Sequence, residues 1–163
     1  MVHQVRAFAN SSNVLLVTQM ITIGSMGVFA GGALSYSTMI MPTLRKFAST
    51  SSLAVWCEMY LIAKPIQISM IVISSLGAAA LYYQTKNQCY LYGSLMMVSL
   101  VPYTISLLYP INHKLLDIRK SGKDDPHVEE MLVRWDALAF GRTVASYGAM
   151  FITLYGALRP SAR

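Results

Sequence analysis

Apolar and polar positions alternate along this chain in long blocks. Apolar runs cover about residues 14–41, 61–83, 89–111 and 137–158. The first contains no charged residue, and the second is broken near its start by Lys64 and Pro65. Each run is near or above the ~20 residues that cross a bilayer core of about 30 Å. Inside lipid the backbone must satisfy its own polar groups, so such runs fold as helices. The pattern predicts an all-α fold, an integral membrane four-helix bundle formed by residues 1–163 as a single domain.

The connectors carry their own signals. A short amphipathic stretch, TLRKFASTSSLAVWCEMYLIAK, separates the first two runs. Residues 113–136, HKLLDIRKSGKDDPHVEEMLVRWD, form the polar connector before the fourth. Ser121-Gly122 reads as a helix end and Asp124-Asp125-Pro126 as the cap of the next helix. Pro126 suits a first turn, and Glu129 and Glu130 favour a helix N-terminus. The fourth helix is therefore expected to begin near His127 and to enter the membrane around Leu138.

The third run ends in VPYTISLLYPINHKLL, residues 101–116. A proline inside a helix removes one hydrogen bond and crowds the preceding turn. Pro102 is thus expected to kink the helix and free the Val98 carbonyl beside Tyr103 and Thr104. The residue before a proline avoids helical geometry, so Pro110 is expected to end the helix, with Asn112 at the membrane edge.

Composition supports the lipid reading. Apolar residues make up 55% of the chain and charged residues 12%, against about 25% charged in ordinary soluble domains. The net charge of +6 is modest. No basic stripe interleaves with aromatics, so nucleic acid is not an expected partner. Cys57 and Cys89 form no CxxC motif, and His3, His113 and His127 are scattered, so no metal site is expected. Arg6, Lys86, Arg159 and Arg163 lie on the side of the termini and second loop; the other nine basic residues lie on the side of the first and third loops. By the positive-inside rule the first and third loops face the cytosol. The Asn10-Ser11-Ser12 sequon then lies on the lumenal side, too close to the first span for modification.

Three patterns carry candidate chemistry, each with a plainer alternative. Gly24, Gly27, Gly31 and Gly32 either open room for a flat ligand or allow tight helix packing. Trp56, Tyr60, Lys64 and Gln67 share one helix face; they line a cavity mouth or form an interfacial belt with Lys64 snorkelling. Trp135, Leu138 or Ala139, and Arg142 form a second stripe. A guanidinium inside an apolar helix costs about 2.5–3.5 kcal/mol at the bilayer centre. Arg142 either snorkels to the edge or faces the bundle interior to receive an anion. No acid stands three or four residues from it; Asp136 lies on a different face.

Pro102-Tyr103-Thr104, then Pro110-x-Asn112, then Leu115, then Trp135-x-x-Leu138-x-x-x-Arg142 resembles the fungal anthrone oxygenase family of small four-span proteins. The small-residue-rich first span ending at Pro42 and the Trp56 to Tyr60 pair also fit, so the resemblance covers nearly the whole chain. Many members carry a polar residue, often His or Asn, just after the leucine of the last motif, where this chain has Ala139 and Phe140. The resemblance implies oxidation of an anthrone-like polyketide phenol to a quinone, with O2 as co-substrate and no other cofactor. It implies a small aromatic substrate, the bilayer as surroundings, and an endomembrane such as the endoplasmic reticulum as location. Under it, Arg142, Asn112, Tyr103 and His113 are the candidate catalytic residues, with Arg142 as oxyanion partner and Tyr103 or His113 as base (His127 as third choice). Trp135, Trp56, Tyr60 and Thr104 are the candidate substrate-binding residues. Two other classes fit the same residues: a cyclase, isomerase or decarboxylase on this scaffold, and a non-catalytic membrane binding or assembly protein.

Overall fold

The structure is a computed structural model that describes residues 2–47, 49–122 and 125–159, with side chains from Ser12 on, Ser49 aside. Four of its helices are long and apolar enough to cross a membrane: α1 (Ser12–Leu44), α2 (Thr50–Thr85), α3 (Gln88–Ser121) and α4 (Val128–Leu158). No strand occurs among the described residues. The protein is an all-α, integral membrane four-helix bundle. Large apolar side chains such as Leu16, Met20, Val28, Ile62, Leu76 and Phe151 point outward. A surface this apolar matches lipid rather than water.

The helices pack in a ring, each against two neighbours: α1 against α2 and α4, and α3 against α2 and α4, while α2 and α4 barely meet across the diagonal. Two apolar cores fill it. One lies towards the first and third loops and gathers Trp56, Met41, Leu108, Leu115, Leu132 and Trp135. The other, at mid-bundle, gathers Met26, Phe29, Ala78, Met97, Leu100 and Ala149. Towards the second loop, close packing rests on small residues. A Cβ on Gly77 would strike Thr22, and one on Gly93 would strike Thr153. The glycines of α1 play no such part: Gly24, Gly31 and Gly32 have nothing within 4 Å of a built Cβ, and at Gly27 the nearest atom is the Met150 sulfur at 3.6 Å.

The ends expected of the polar connector are present. Gly122 follows Ser121 with φ 64°, a left-handed conformation that suits glycine. The fourth helix starts at Val128, and Asp125 Oδ1 accepts from the His127 N–H at 2.8 Å. The expected cap at Asp124 and the asparagine of the sequon, Asn10, lie outside the described side chains.

Two expectations need correction. The amphipathic stretch is not a separate piece from Ser49 onward: the helix Ser49–Thr85 is continuous, with Pro65 inside it. And Pro110 does not end the third helix. That helix runs through Pro110 to Ser121 because the turn before it widens into a π-helix, Thr104–Leu108. The widened turn relieves the clash between a proline ring and the carbonyl four residues back, and Pro110 falls in the first turn of the next α-helical segment, where it is tolerated. The same device occurs in α1, where the π-helical turn Tyr36–Ile40 precedes Pro42. In both, the wide turn begins six residues ahead of the proline.

Candidate functional site

A cavity of about 370 Å³ opens between α2 and α3 in the half of the bundle nearer the first and third loops. That size falls within the ~300–1,000 Å³ of small-molecule pockets. Both π-helical turns border it, through Tyr36 in α1 and Thr104, Ile105 and Leu108 in α3. Widened turns re-aim side chains, and such turns recur at functional sites. From α4 come Trp135 and Arg142, seven residues apart on one helix face. From α2 come Tyr60, Lys64 and Gln67, three of the four members of the stripe seen in the sequence. The rim holds Ile68, Val72, Val101 and Ile105, whose side chains also reach the outer apolar surface. The mouth therefore faces the lipid layer.

Arg142 is 8% exposed, and its guanidinium lies 5.7 Å from the centre of the Phe29 ring. Its Nε has no hydrogen-bond partner, and it makes no ion pair among the described residues. The cavity wall contains no Asp or Glu. Asp136, the nearest acid along α4, is held by Arg45 at 2.6 Å. An unpaired buried charge is costly, and an ionisable group turned into a bundle interior is a mark of function. Arg142 is thus a buried cation with no acid in the cavity wall to pair with.

Asn112 and Trp135 form the polar part of the aromatic wall. Asn112 is 4% exposed, and its Oδ1 accepts from Trp135 Nε1 at 2.7 Å. That bond fixes the amide and leaves its NH2 group as the donor end. The Trp135 ring meets Trp56 edge-on at 5.5 Å and Tyr36 edge-on at 6.1 Å; Trp56 stacks on Tyr60 at 5.2 Å. Trp56 itself is fully buried behind Tyr60 and backs the wall rather than lining it. One further polar atom on the cavity residues is buried without a partner, Thr104 Oγ1. Replacing Asn112 by alanine should leave the Trp135 N–H unpaired. We expect a loss of ~1–3 kcal/mol, read as a lower thermal midpoint of the purified protein in detergent.

The structure brings together Arg142, Asn112, Trp135, Tyr60 and Thr104 around one cavity. It does not bring Tyr103 or His113 there. The Tyr103 hydroxyl donates to the Leu138 carbonyl at 3.0 Å, and the ring crosses Gly141, where a Cβ would lie 2.7 Å from that oxygen. Tyr103 is a tie between α3 and α4. His113 is exposed on the outer side of α3, 3.5 Å from Asp117, and His127 is exposed near Glu130. Ala139 is buried and Phe140 faces outward, so the position after Leu138 supplies no base either. Tyr36 escaped sequence reading. Its signal was the hydroxyl-rich run Ser35-Tyr36-Ser37-Thr38 ahead of Pro42, which parallels Tyr103-Thr104 ahead of Pro110.

A second, apolar cavity of about 390 Å³ lies between α1 and α2 and shares Tyr36, Met59, Ala63 and Gln67 with the first. Gly32 lines it. No three His, Cys, Asp or Glu side chains gather to hold a metal among the described residues, and Cys57 and Cys89 are unpaired.

Among known families, the one described as Anthrone oxygenase matches residues 56–152, more than half of the chain. The match spans the α2 stripe, both prolines of α3 and the Trp135 to Arg142 stripe. Comparison with curated proteins and with solved structures finds no match.

Proposed function

The chain belongs to the anthrone oxygenase family, and from that premise we propose that it oxidises an anthrone-like polycyclic phenol to a quinone with O2, needing no further cofactor. The observation that carries this reading is Arg142: a buried guanidinium without an acid partner, beside an aromatic-walled cavity that opens towards lipid.

The chemistry suits these residues. An anthrone loses a proton from its central CH2 to give an enolate, whose negative oxygen Arg142 and the Asn112 amide would hold. Pairing the enolate in a water-poor site makes it easier to form, so water or hydroxide at the mouth is base enough. The electron-rich carbon gives one electron to O2, and the carbon radical and superoxide combine. With a proton they form a hydroperoxide. Loss of the second proton from that carbon then breaks the O–O bond, leaving a carbonyl and water. One O2 enters, one oxygen stays in the quinone, and the other leaves as water. Trp135, Tyr60 and Tyr36 line the cavity with aromatic rings, and aromatic pairs favour offset or edge contact.

The test is direct. Membranes holding the protein receive an anthrone and air, and quinone formation and O2 uptake are followed against empty membranes. Uptake of one O2 per quinone, above the spontaneous rate and unchanged by chelator, is expected. Proton-transfer chemistry without O2 uptake would identify a cyclase, isomerase or decarboxylase instead.

In this reading the membrane is an endomembrane such as the endoplasmic reticulum, and the first and third loops belong on its cytosolic side because they carry most of the basic residues. A cysteine placed at Gly122 should react with an impermeant thiol reagent added to sealed, cytosol-outward vesicles. One placed at Lys86 should react only after the vesicles are opened. The reverse pattern would invert the topology.

A further inference from the structure

Two cations line the cavity, Arg142 and Lys64, and no acid does. An enolate satisfies one of them. Lys64 lies at the rim: it is exposed, its Nζ is 5.9 Å from the centre of the Tyr60 ring, and no carboxylate is within ion-pair distance among the described residues. A lysine serving only to reach lipid headgroups would point away from the bundle. This one stands over a ring of the cavity wall, the same ring that stacks on Trp56. Much of the remaining wall is apolar, with Met59, Ala63, Ile68, Ile71 and Leu108 among its residues.

We propose that the substrate of this cavity is an aromatic acid: a flat ring system whose enolisable carbonyl meets Arg142 and which carries a carboxylate that meets Lys64 at the mouth. The proposal rests on the oxygenase reading for the role of Arg142 but is tested without turnover. A greasy carboxylate suits the place. Its rings partition into the bilayer while its charge stays at the interface, so the molecule reaches a lateral mouth with the acid group at the rim. The ammonium then compensates a charge that is half withdrawn from water, where a pair is worth more than on an open surface.

The probes are an anthraquinone carboxylate and the matching carboxamide, which have the same shape and undergo no oxidation. Binding to purified protein in zwitterionic nanodiscs is read by quenching of tryptophan fluorescence. The carboxylate is expected to bind about tenfold more tightly than the carboxamide. In Lys64→Gln the ratio should fall towards one with carboxamide affinity unchanged; in Lys64→Arg it should persist. Discs containing anionic lipid separate a headgroup role: if lipid phosphate were the true partner of Lys64, the Lys64→Gln change would alter insertion or lipid binding and leave the ratio intact. Equal affinities in the parent protein, or a preference that survives Lys64→Gln and disappears in Arg142→Gln, would overturn the assignment. A preference for the carboxylate in a protein that consumes no O2 would sink the oxygenase reading and leave the ligand class standing.

Discussion

Replacing Arg142 by lysine is expected to lower the rate of quinone formation by ~10²–10³. Lysine keeps the charge but gives up the planar fork that grips two oxygens at once, and loss of one preorganised donor to a developing oxyanion typically costs that much. Arg142→Ala should be at least as impaired. Both proteins should still insert: lysine leaves the charge of the helix unchanged, and alanine takes a charge out of an apolar helix, which eases insertion. Nor does the bundle lose an ion pair, because Arg142 has no acid partner among the described residues. The measurement is the initial rate per mole of folded protein, with folding checked by helical signal and by elution as a single species. An Arg142→Ala protein that folds and turns over at the parent rate would remove the basis of the proposed mechanism.

The largest effect on stability is expected at Gly93, far from the cavity. A Cβ there collides with the Thr153 hydroxyl and comes within 3.4 Å of the Ala149 carbonyl oxygen. Thr153 is itself fully buried on α4. Gly93→Ala must push α3 and α4 apart or force Thr153 off its rotamer, a cost of ~1–3 kcal/mol or more. The clash names its own rescue. Removing the hydroxyl in Thr153→Ala leaves room for the new methyl, so the double variant should recover most of the loss. Thermal midpoints of the four proteins form a double-mutant cycle. Additive losses would show that the two residues are not the pair in contact.

Much of this was legible in the residues. Apolar runs of sufficient length dictate helices in lipid, and the near absence of charge leaves the bilayer as their surroundings. The stripes from Tyr60 to Gln67 and from Trp135 to Arg142 point at one cavity because residues seven apart return to the same helix face. What periodicity could not convey was the effect of the prolines. Pro110 carries the ordinary signal of a helix end, yet the turn of Thr104–Leu108 widens and the helix continues. That extension buries Asn112 against Trp135 and leaves His113 outside. At Tyr103 the missing information was the partner of the hydroxyl. A tyrosine beside a kink reads as a reactive group, and only the third dimension reveals Leu138 as the partner of its hydroxyl. The glycines of α1 likewise match a packing motif, whereas the two tightest contacts fall on Gly77 and Gly93, each opposite a threonine that no local pattern marks.

The sideways mouth between α2 and α3 changes what concentration means for this protein. A ligand that arrives through Ile68, Val72, Val101 and Ile105 is drawn from the two-dimensional solution of the bilayer, not from the aqueous phase. Occupancy then follows the ligand's mole fraction among lipids. Adding empty vesicles at constant total ligand dilutes it, as adding solvent would dilute a soluble ligand. A poorly soluble aromatic made at the same membrane reaches a high local mole fraction there without ever accumulating in the cytosol.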